Sequence, residues 1–144
     1  KLRRAKSSDW ETIRALLEES SLPADDLAPE RLDGFLVAED GDRLVGLIGL
    51  ELLGTAGLLR SLVVARQARR AGLGGKLVGS LEAAAQTAGI TEMWLLTIDA
   101  QKFFERHGYQ EVSRTQAPDA VRSTGEFSEL CPDDASLMMK ALDP

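Results

Sequence analysis

Basic residues and glycines are concentrated in one stretch of this chain, "VVARQARRAGLGGKLV", which covers residues 63–78. The wider window 52–81 contains five basic residues and no acidic one, although the whole chain has a net charge of −6. Glycines at the start of a helix let an anion approach backbone N–H groups that lack a partner within the helix, and arginines add positive charge. The pattern predicts a site for a phosphate-like group, with a solvated basic face as the alternative reading.

Two common phosphate motifs do not fit this stretch. A P-loop requires Ser or Thr after its Gly-Lys pair and an earlier glycine, whereas this chain has Leu77 and Arg70 at those positions. A dinucleotide fingerprint Gly-x-Gly-x-x-Gly beginning at Gly72 would place its third glycine at Leu77. The stretch therefore belongs to neither motif class.

The elements that position this stretch predict an α/β or α+β fold with a mixed sheet. Ser8 and Glu11 have the spacing of a capping box, Gly72 begins the clearest amphipathic helix, and Asp99 is placed to cap a short one. Predicted strands cover residues 1–6, 35–40, 43–53, 58–65, 92–98, 109–115 and 136–142. Predicted helices cover residues 7–20, 22–34, 72–88 and 100–107, and the segment 117–134 is predicted as either helix or loop.

Length and composition limit the class of protein. The 144 residues, of which 44% are hydrophobic and 28% charged, predict one globular domain over residues 1–144. Apolar runs are too short to cross a membrane, and the acidic balance argues against nucleic-acid binding. The single cysteine excludes an internal disulfide and fits a cytoplasmic protein. One cysteine and one histidine are too few ligands of these types for a structural zinc site.

Two segments resemble the signatures of the GNAT family of N-acetyltransferases. The spacing Arg69-x-x-Gly72-x-Gly74, between a predicted strand and a long helix, resembles that family's acetyl-CoA pyrophosphate motif. The later segment "FFERHGY" (residues 103–109) resembles its second signature, Phe-Tyr-Glu-Lys-x-Gly-Phe. The resemblance implies two central parallel strands that splay apart and acetyl-CoA as the co-substrate.

The resemblance also implies which residues hold the cofactor. Backbone groups of one strand would bind the pantetheine arm, the glycine loop would bind the pyrophosphate, and two phenylalanines would pack along the pantetheine. In this chain those residues are Leu62, Val63 and Val64 for the strand, Arg69, Arg70, Ala71, Gly72, Leu73, Gly74, Gly75 and Lys76 for the loop, and Phe103 and Phe104 for the packing.

The catalytic groups depart from the family pattern. Many members have a tyrosine acid where this chain has Phe104 and a glutamate base where it has Leu58, while Tyr109 occupies a position that favours packing. Glu51, at the end of an apolar strand, is the best remaining candidate for the base that removes the amine proton. The alternative for Glu51 is a solvated charge at the strand end.

The acceptor site is predicted from Arg60 and from the C-terminal tail. Strand alternation places Arg60 on the face of Leu58, Leu62 and Val64, where it would bind an anionic group of the substrate, pair with Glu51, or do both. The tail "STGEFSELCPDDASLMMKAL" resembles the arsenic-resistance-associated (ArsN-type) subgroup of the family. That subgroup implies an amino-acid-like amine bearing an arsinate or phosphinate, with Glu126 and Cys131 as further substrate-binding candidates.

Two functions follow from these residues. The first is direct acetyl transfer from acetyl-CoA to the primary amine of a small anionic molecule, by an enzyme that the family resemblance suggests is a homodimer. The second is a catalytically impaired acyl-CoA-binding or regulatory module, which the missing glutamate and tyrosine favour. Neither function requires a metal, a membrane or a nucleic acid.

Overall fold

The computed structural model describes residues 1–20, 22, 27–68, 72–124 and 135–142. Its seven strands form one mixed sheet in the order β1-β2-β3-β4-β5-β7-β6, with β4 and β5 parallel and β5 and β7 antiparallel. No helix in the described part of the chain is long and apolar enough to cross a membrane. The strands are β1 (Leu2–Arg4), β2 (Phe35–Asp40), β3 (Arg43–Leu53), β4 (Ala56–Val64), β5 (Glu92–Thr97), β6 (Gln110–Val112) and β7 (Ser136–Ala141). The α-helices are α1 (Trp10–Glu19), α2 (Leu73–Thr87), α3 (Gln101–Arg106) and α4 (Asp119–Arg122).

The predicted α/β class with a mixed sheet is confirmed, and most element bounds agree within two residues. Two elements are shorter than predicted. The strand predicted over 109–115 ends at Val112, and a 3-10 helix (Arg114–Gln116) follows it. Within the described part of the predicted helix 22–34, the structure has one 3-10 turn, Pro29–Arg31; residues 23–26 of that helix lie outside the described residues.

The chain divides into two compact units. The first comprises residues 1–50 and 61–81, and the second comprises residues 51–60 and 82–144. In the first unit the apolar face of α1 packs on the sheet, with Ile13 and Leu17 completely buried beside Phe35, Val37 and Leu47. This is the face that the spacing of apolar residues predicts for the helix.

Gly46 allows α2 to lie close to the sheet in the first unit. A Cβ atom at Gly46 would stand 3.0 Å from Leu77 Cδ1 and 3.3 Å from Leu73 Cδ2. Both leucines belong to the i, i+4 stripe that predicts the amphipathic helix. The absence of a side chain at Gly46 therefore lets the start of α2 pack directly on β3.

The predicted capping of α1 is wrong. The helix begins at Trp10 after a 3-10 turn, and Asp9 organises this turn in place of Ser8 and Glu11. The Asp9 carboxylate accepts the Lys6 N–H at 2.7 Å and two guanidinium bonds from Arg3, at 2.9 and 3.0 Å. Its hydrogen bond to Arg3 holds the pKa of Asp9 below its usual range. An ion pair with Arg3 on β1 thus replaces the predicted capping box.

In the second unit β5 is the central strand. Met93, Trp94 and Leu95 are buried, as the apolar run predicts, and β5 pairs with β4 on one side and β7 on the other. Trp94 belongs to a core cluster with Ala56, Leu58, Ala117, Val121 and Leu137.

The predicted cap of α3 by Asp99 is also wrong. The N-cap position is Ala100, and the helix runs over Gln101–Arg106. The Ala100 N–H donates to the Thr97 hydroxyl at 3.1 Å, so a residue from the end of β5 organises this turn. A threonine hydroxyl three residues earlier thus binds the backbone at the start of this helix, where the sequence prediction placed the carboxylate of Asp99.

Candidate functional site

The glycine stretch leads directly into α2. Gly72 adopts a left-handed conformation with φ of +74°. A Cβ atom there would have no other atom within 4 Å, so a substitution would be strained by the backbone conformation and not by a steric clash. The Lys76 N–H donates to the Gly72 carbonyl at 3.2 Å, which closes the first helical turn. The N–H groups at the very start of a helix have no acceptor within it, which is what an anion site requires.

The structure places part of the predicted pyrophosphate loop. Gly72 and Lys76 are exposed, while Leu73, Gly74 and Gly75 are half-buried. Arg69, Arg70 and Ala71 lie outside the described residues. The left-handed Gly72 followed directly by α2 agrees with the predicted glycine turn before a helix. Pyrophosphate binding by the whole loop stays a prediction.

The ladder between β4 and β5 is short. It pairs Ala56 with Glu92, Gly57 with Met93 and Leu58 with Trp94, and it ends there, although β4 continues to Val64 and β5 to Thr97. All residues of these two strands are described. The pairing of these two parallel strands therefore ends at Leu58 and Trp94, before the C-terminal end of either strand.

Ser61 has an unusual conformation in the middle of β4. Its φ of 60° lies in the left-handed region, which non-glycine residues enter rarely, and the residue is buried. A left-handed residue interrupts the regular two-residue alternation of a strand. The prediction that Arg60 and Leu62 share a face by simple alternation therefore does not extend across Ser61.

The residues after Ser61 contribute to the first unit. Val63 is 5% exposed and packs in the core cluster with Ile13 and Leu17, while Leu62 and Val64 are half-buried. A buried Val63 side chain holds this part of β4 rigidly against the core. Pantetheine binding by the backbone of Leu62, Val63 and Val64 stays a prediction.

Arg60 and Glu51 form an ion pair in the second unit. Arg60 Nη1 donates to Glu51 Oε2 at 3.1 Å, and the two side chains are 1% and 33% exposed, respectively. Glu51 Oε1 accepts no hydrogen bond from the described residues. The pairing that the sequence analysis offered as one reading of Arg60 is therefore present, and Glu51 keeps one oxygen available to a proton donor.

The two predicted cofactor phenylalanines differ in burial. Phe103 is half-buried and stacks on His107 with ring centroids 4.7 Å apart. Phe104 is 4% exposed and makes edge-to-face contacts with Phe103, at 5.1 Å, and with Tyr109, at 5.6 Å. Phe103 is thus the more accessible of the two rings, and pantetheine packing against either ring stays a prediction.

Tyr109 is a packing residue. It is 3% exposed, and its hydroxyl donates to Glu82 Oε2 at 2.9 Å. Lys140 Nζ binds both oxygens of Glu82, at 3.0 and 3.1 Å, and donates to the His107 carbonyl at 2.9 Å. Burial, together with the charge of Glu82, raises the pKa of Tyr109 above its usual value. The phenol therefore stays protonated at neutral pH and is committed to Glu82.

We expect the variant Tyr109→Phe to keep kcat within about twofold of wild type, because a hydroxyl bound to Glu82 is not the acid for the leaving thiolate. Its free energy of unfolding should fall by about 1 kcal/mol, the usual loss for one hydrogen bond. Urea unfolding and steady-state kinetics measure the two quantities. A large fall in kcat at unchanged stability would assign the proton to Tyr109.

Neither the left-handed backbone of Ser61 nor the contacts among Glu82, Tyr109 and Lys140 could be predicted from the sequence. No local signal marks either feature, because serine is not typical of left-handed backbone and Glu82 lies 58 residues from Lys140. Two other predicted substrate residues, Glu126 and Cys131, lie outside the described residues.

Known acetyltransferases are similar to this chain in sequence and in structure. A family model described as an acetyltransferase (GNAT) domain matches residues 31–111. An uncharacterised N-acetyltransferase of Chlorobaculum tepidum is 31% identical over 94 residues, which cover 64% of this chain and 59% of that protein. The match therefore spans less than two thirds of the length of that relative.

Two solved structures share the fold over nearly the whole chain. Rv2747 of Mycobacterium tuberculosis, in complex with CoA and the ligand NLQ, is 25% identical with a TM-score of 0.83 and 99% coverage of both chains. N-acetylglutamate synthase of Neisseria gonorrhoeae, complexed with coenzyme A and N-acetyl-glutamate, is 22% identical. Its TM-score is 0.87, and the match covers 100% of this chain and 35% of that one. With a family model matching more than half of its residues, the chain belongs to the GNAT family of acetyltransferases.

Proposed function

We propose that the protein is an acetyl-CoA-dependent N-acetyltransferase that acts on the primary amine of a small, amino-acid-like anion. One observation carries the proposal beyond the family assignment. A buried arginine, Arg60, lies two residues beyond the point where the pairing of β4 with β5 ends, and it pairs with a partly exposed carboxylate, Glu51. A cationic group and a candidate base thus stand together near the end of that pairing.

The described residues fit a coenzyme A site. The left-handed Gly72, with open space where a side chain would be, and the half-buried Gly74 and Gly75 leave the start of α2 accessible to a pyrophosphate. We propose that this helix start holds the pyrophosphate with help from Lys76. The remaining proposed cofactor contacts are Leu62, Val63, Val64, Arg69, Arg70, Ala71, Leu73, Phe103 and Phe104.

The protein's own residues would handle the amine proton. Acetyl-CoA supplies the acetyl group as a thioester. Glu51 Oε1 takes a proton from the ammonium group of the acceptor, directly or through water, so that the nitrogen lone pair becomes nucleophilic. As the N–C bond forms, the C–S bond breaks, and the sulfur leaves with its electron pair and takes a proton from water. The acylated nitrogen gives its second proton to the hydroxide that remains, which restores the water. Phe104 carries no proton for the departing sulfur.

Arg60 supports an anionic group on the acceptor. A guanidinium binds carboxylates and phosphinates with two donors, and a buried one binds them more strongly than an exposed one. The tail resemblance to the ArsN-type subgroup supports an arsinate or phosphinate as that group, with Glu126 and Cys131 as further contacts. A single domain, a homodimer and a cytoplasmic location are further proposals that rest on the family resemblance.

The alternative function is an acyl-CoA-binding or regulatory module without catalysis. Leu58 is completely buried and Phe104 nearly so, and these are the positions where many family members have a glutamate and a tyrosine. Such a module would bind acetyl-CoA and release no thiol with any amine.

The release of free thiol from acetyl-CoA tests the proposal. The amines to compare are phosphinothricin, L-glutamate, L-glutamine and n-butylamine, which differ in the anionic groups beside the amine. We expect acceptor-dependent thiol release with the anionic amines, and kcat/KM at least about tenfold lower for n-butylamine, the usual cost of one charge-assisted hydrogen bond. Tight binding of acetyl-CoA without turnover of any amine would favour the alternative module.

A further inference from the structure

We propose that Lys140 is a positioning residue for acetyl-CoA, because its ammonium group holds the C-terminal end of α3 and thereby fixes the ring of Phe103. The proposal rests on the function proposed above, in which Phe103 is assigned to the pantetheine arm. It adds a residue of β7 to a cofactor site otherwise assigned to β4, α2 and α3. All the contacts that carry it lie within the second unit.

The helix that carries Phe103 is too short to hold its own position. α3 has six residues, Gln101–Arg106, and an isolated helix of that length is not stable in water. The half-buried Phe103 ring lies against the ring of His107, with centroids 4.7 Å apart. The position of the Phe103 ring therefore depends on the contacts that α3 makes with the rest of the unit.

Strand β7 contacts α3 at both of its ends. At the first residue of the helix, Gln101 Nε2 donates to Ser136 Oγ at 3.1 Å. At the other end, Lys140 Nζ donates at 2.9 Å to the carbonyl of His107, which is the C-cap residue. A lysine at this end of a helix compensates carbonyl groups that have no N–H partner within the helix. Two side chains of one strand thus fix the two ends of α3.

The ammonium group of Lys140 is itself held in place. Nζ binds both carboxylate oxygens of Glu82, at 3.0 and 3.1 Å, and Glu82 also accepts the Tyr109 hydroxyl at 2.9 Å. Together with the bond to His107, these contacts use the three donors of an ammonium group. Because Glu82 belongs to the fifteen-residue helix α2, Lys140 connects the end of a short helix to a long one.

The residue after the helix cap leaves room for the lysine stem. Gly108 has a φ of +94°, and a Cβ atom there would stand 3.1 Å from Lys140 Cε and 3.4 Å from Lys140 Cδ. A glycine lets the chain leave the helix in the left-handed region, and it lets the stem lie against the turn. The end of α3 is therefore shaped to receive Lys140.

An ion pair of the first unit has similar construction and serves as a comparison. Arg3 binds both oxygens of Asp9, at 2.9 and 3.0 Å, and it also binds Glu39 at 3.0 Å. The side chains of Arg3 and Asp9 are 23% and 13% exposed, close to the 27% and 15% of Lys140 and Glu82. Loss of either cation should cost similar stability, whereas only the loss of Lys140 should displace an assigned cofactor contact.

Titration of acetyl-CoA into the variant Lys140→Met, followed by calorimetry, tests the proposal. Methionine keeps most of the side-chain volume and removes the ammonium group. We expect the Kd for acetyl-CoA to rise about tenfold, the usual effect of one charge-assisted hydrogen bond. Lys140→Arg keeps donors for both partners and should restore most of the affinity. The kcat at saturating acetyl-CoA should stay within about twofold of wild type, because Lys140 is assigned to no reacting group.

A truncated ligand distinguishes positioning from general damage to the protein. The nucleotide 3′-phospho-ADP is the part of coenzyme A that lacks the pantetheine arm. Its Kd should stay within about twofold of wild type in Lys140→Met, because the proposed site binds the pyrophosphate at the start of α2 and not at α3. A merely structural role of Lys140 would weaken the binding of both ligands.

The variant Phe103→Ala tests whether Lys140 acts through this ring. Alanine removes the surface assigned to the pantetheine, so this variant should also raise the Kd for acetyl-CoA about tenfold. Adding Lys140→Met to Phe103→Ala should raise the Kd by less than about a further twofold, because no ring remains to be positioned.

Three further variants complete the experiment. Arg3→Met controls for lost stability and should keep the wild-type Kd. Tyr109→Phe removes one contact of Glu82, leaves the bond between Lys140 and the end of α3, and should keep the Kd within about twofold. Glu82→Gln is the milder replacement if Lys140→Met does not fold. It leaves Lys140 without its counter-charge and should raise the Kd about threefold.

These binding measurements need no turnover, so failure of this proposal differs from failure of the proposed function. The proposal would be overturned by an unchanged Kd in Lys140→Met or, if that variant does not fold, in Glu82→Gln. An equal rise in Arg3→Met, an equal loss of 3′-phospho-ADP binding, or an additive effect with Phe103→Ala would overturn it as well. Absence of thiol release from wild type with every amine would instead overturn the proposed function.

Discussion

Replacing Glu51 by glutamine should lower kcat about 100-fold or more, because a general base typically contributes a factor of 10² to 10⁴. The KM for acetyl-CoA should stay unchanged, since Glu51 is assigned to the amine and not to the cofactor. Steady-state thiol release with phosphinothricin as acceptor measures both constants.

The control for this result is Glu111→Gln, which removes the same charge from an exposed position on β6. Thermal unfolding should show both variants folded at the assay temperature. A kcat within about twofold of wild type for the Glu51 variant would remove Glu51 from the chemistry and leave its pairing with Arg60 as a structural contact.

The second large effect is expected at Gly72. In the variant Gly72→Ala, a side chain meets a φ of +74°, which costs about 1–2 kcal/mol in the left-handed region, and the loop relieves this strain by moving. Because the first turn of α2 is assigned to the pyrophosphate, we expect the KM for acetyl-CoA to rise about tenfold, the equivalent of 1.4 kcal/mol. The kcat at saturating acetyl-CoA should change little.

Two glycines serve as controls for this variant. Gly54 has a φ of +70° and equally open surroundings, so Gly54→Ala introduces the same backbone strain outside the assigned cofactor loop. Gly79 lies within α2 with open space around it, and Gly79→Ala should stabilise the helix by up to about 1 kcal/mol. Both variants should keep the wild-type KM. A similar rise in KM for Gly54→Ala would mean that lost stability, and not the loop, explains the effect at Gly72.

Periodic patterns predicted most of the fold. The i, i+4 stripe of α2, the hairpin of β2 and β3 and the apolar run of β5 each depend on a regular spacing that tertiary structure seldom overrides. The predicted helix caps were wrong for a physical reason. Asp9 is held by Arg3, and the Ala100 N–H is held by Thr97, so side chains from the ends of the preceding strands replaced the capping residues that the sequence suggested.

The candidate site was predictable where neighbouring strands bring residues together. Glu51 lies near the end of β3 and Arg60 in the middle of β4, and a tight turn joins these consecutive strands, so the sequence could suggest their pairing. The burial of Arg60 and the single contact that holds Glu51 did not follow, because both depend on packing. The left-handed Ser61 was equally inaccessible, since serine has no strong preference for that conformation.

The central claim is that the enzyme transfers acetyl groups to an amine that also carries an anion. A competition experiment tests it most directly: wild-type protein and acetyl-CoA are incubated with equal concentrations of phosphinothricin and n-butylamine, and the acetylated products are counted by mass spectrometry. The ratio of products reports the ratio of kcat/KM values, and we expect acetylated phosphinothricin to exceed acetylated butylamine at least about tenfold. Equal amounts of the two products, an excess of acetylated butylamine, or no acetylated product at all would contradict the account.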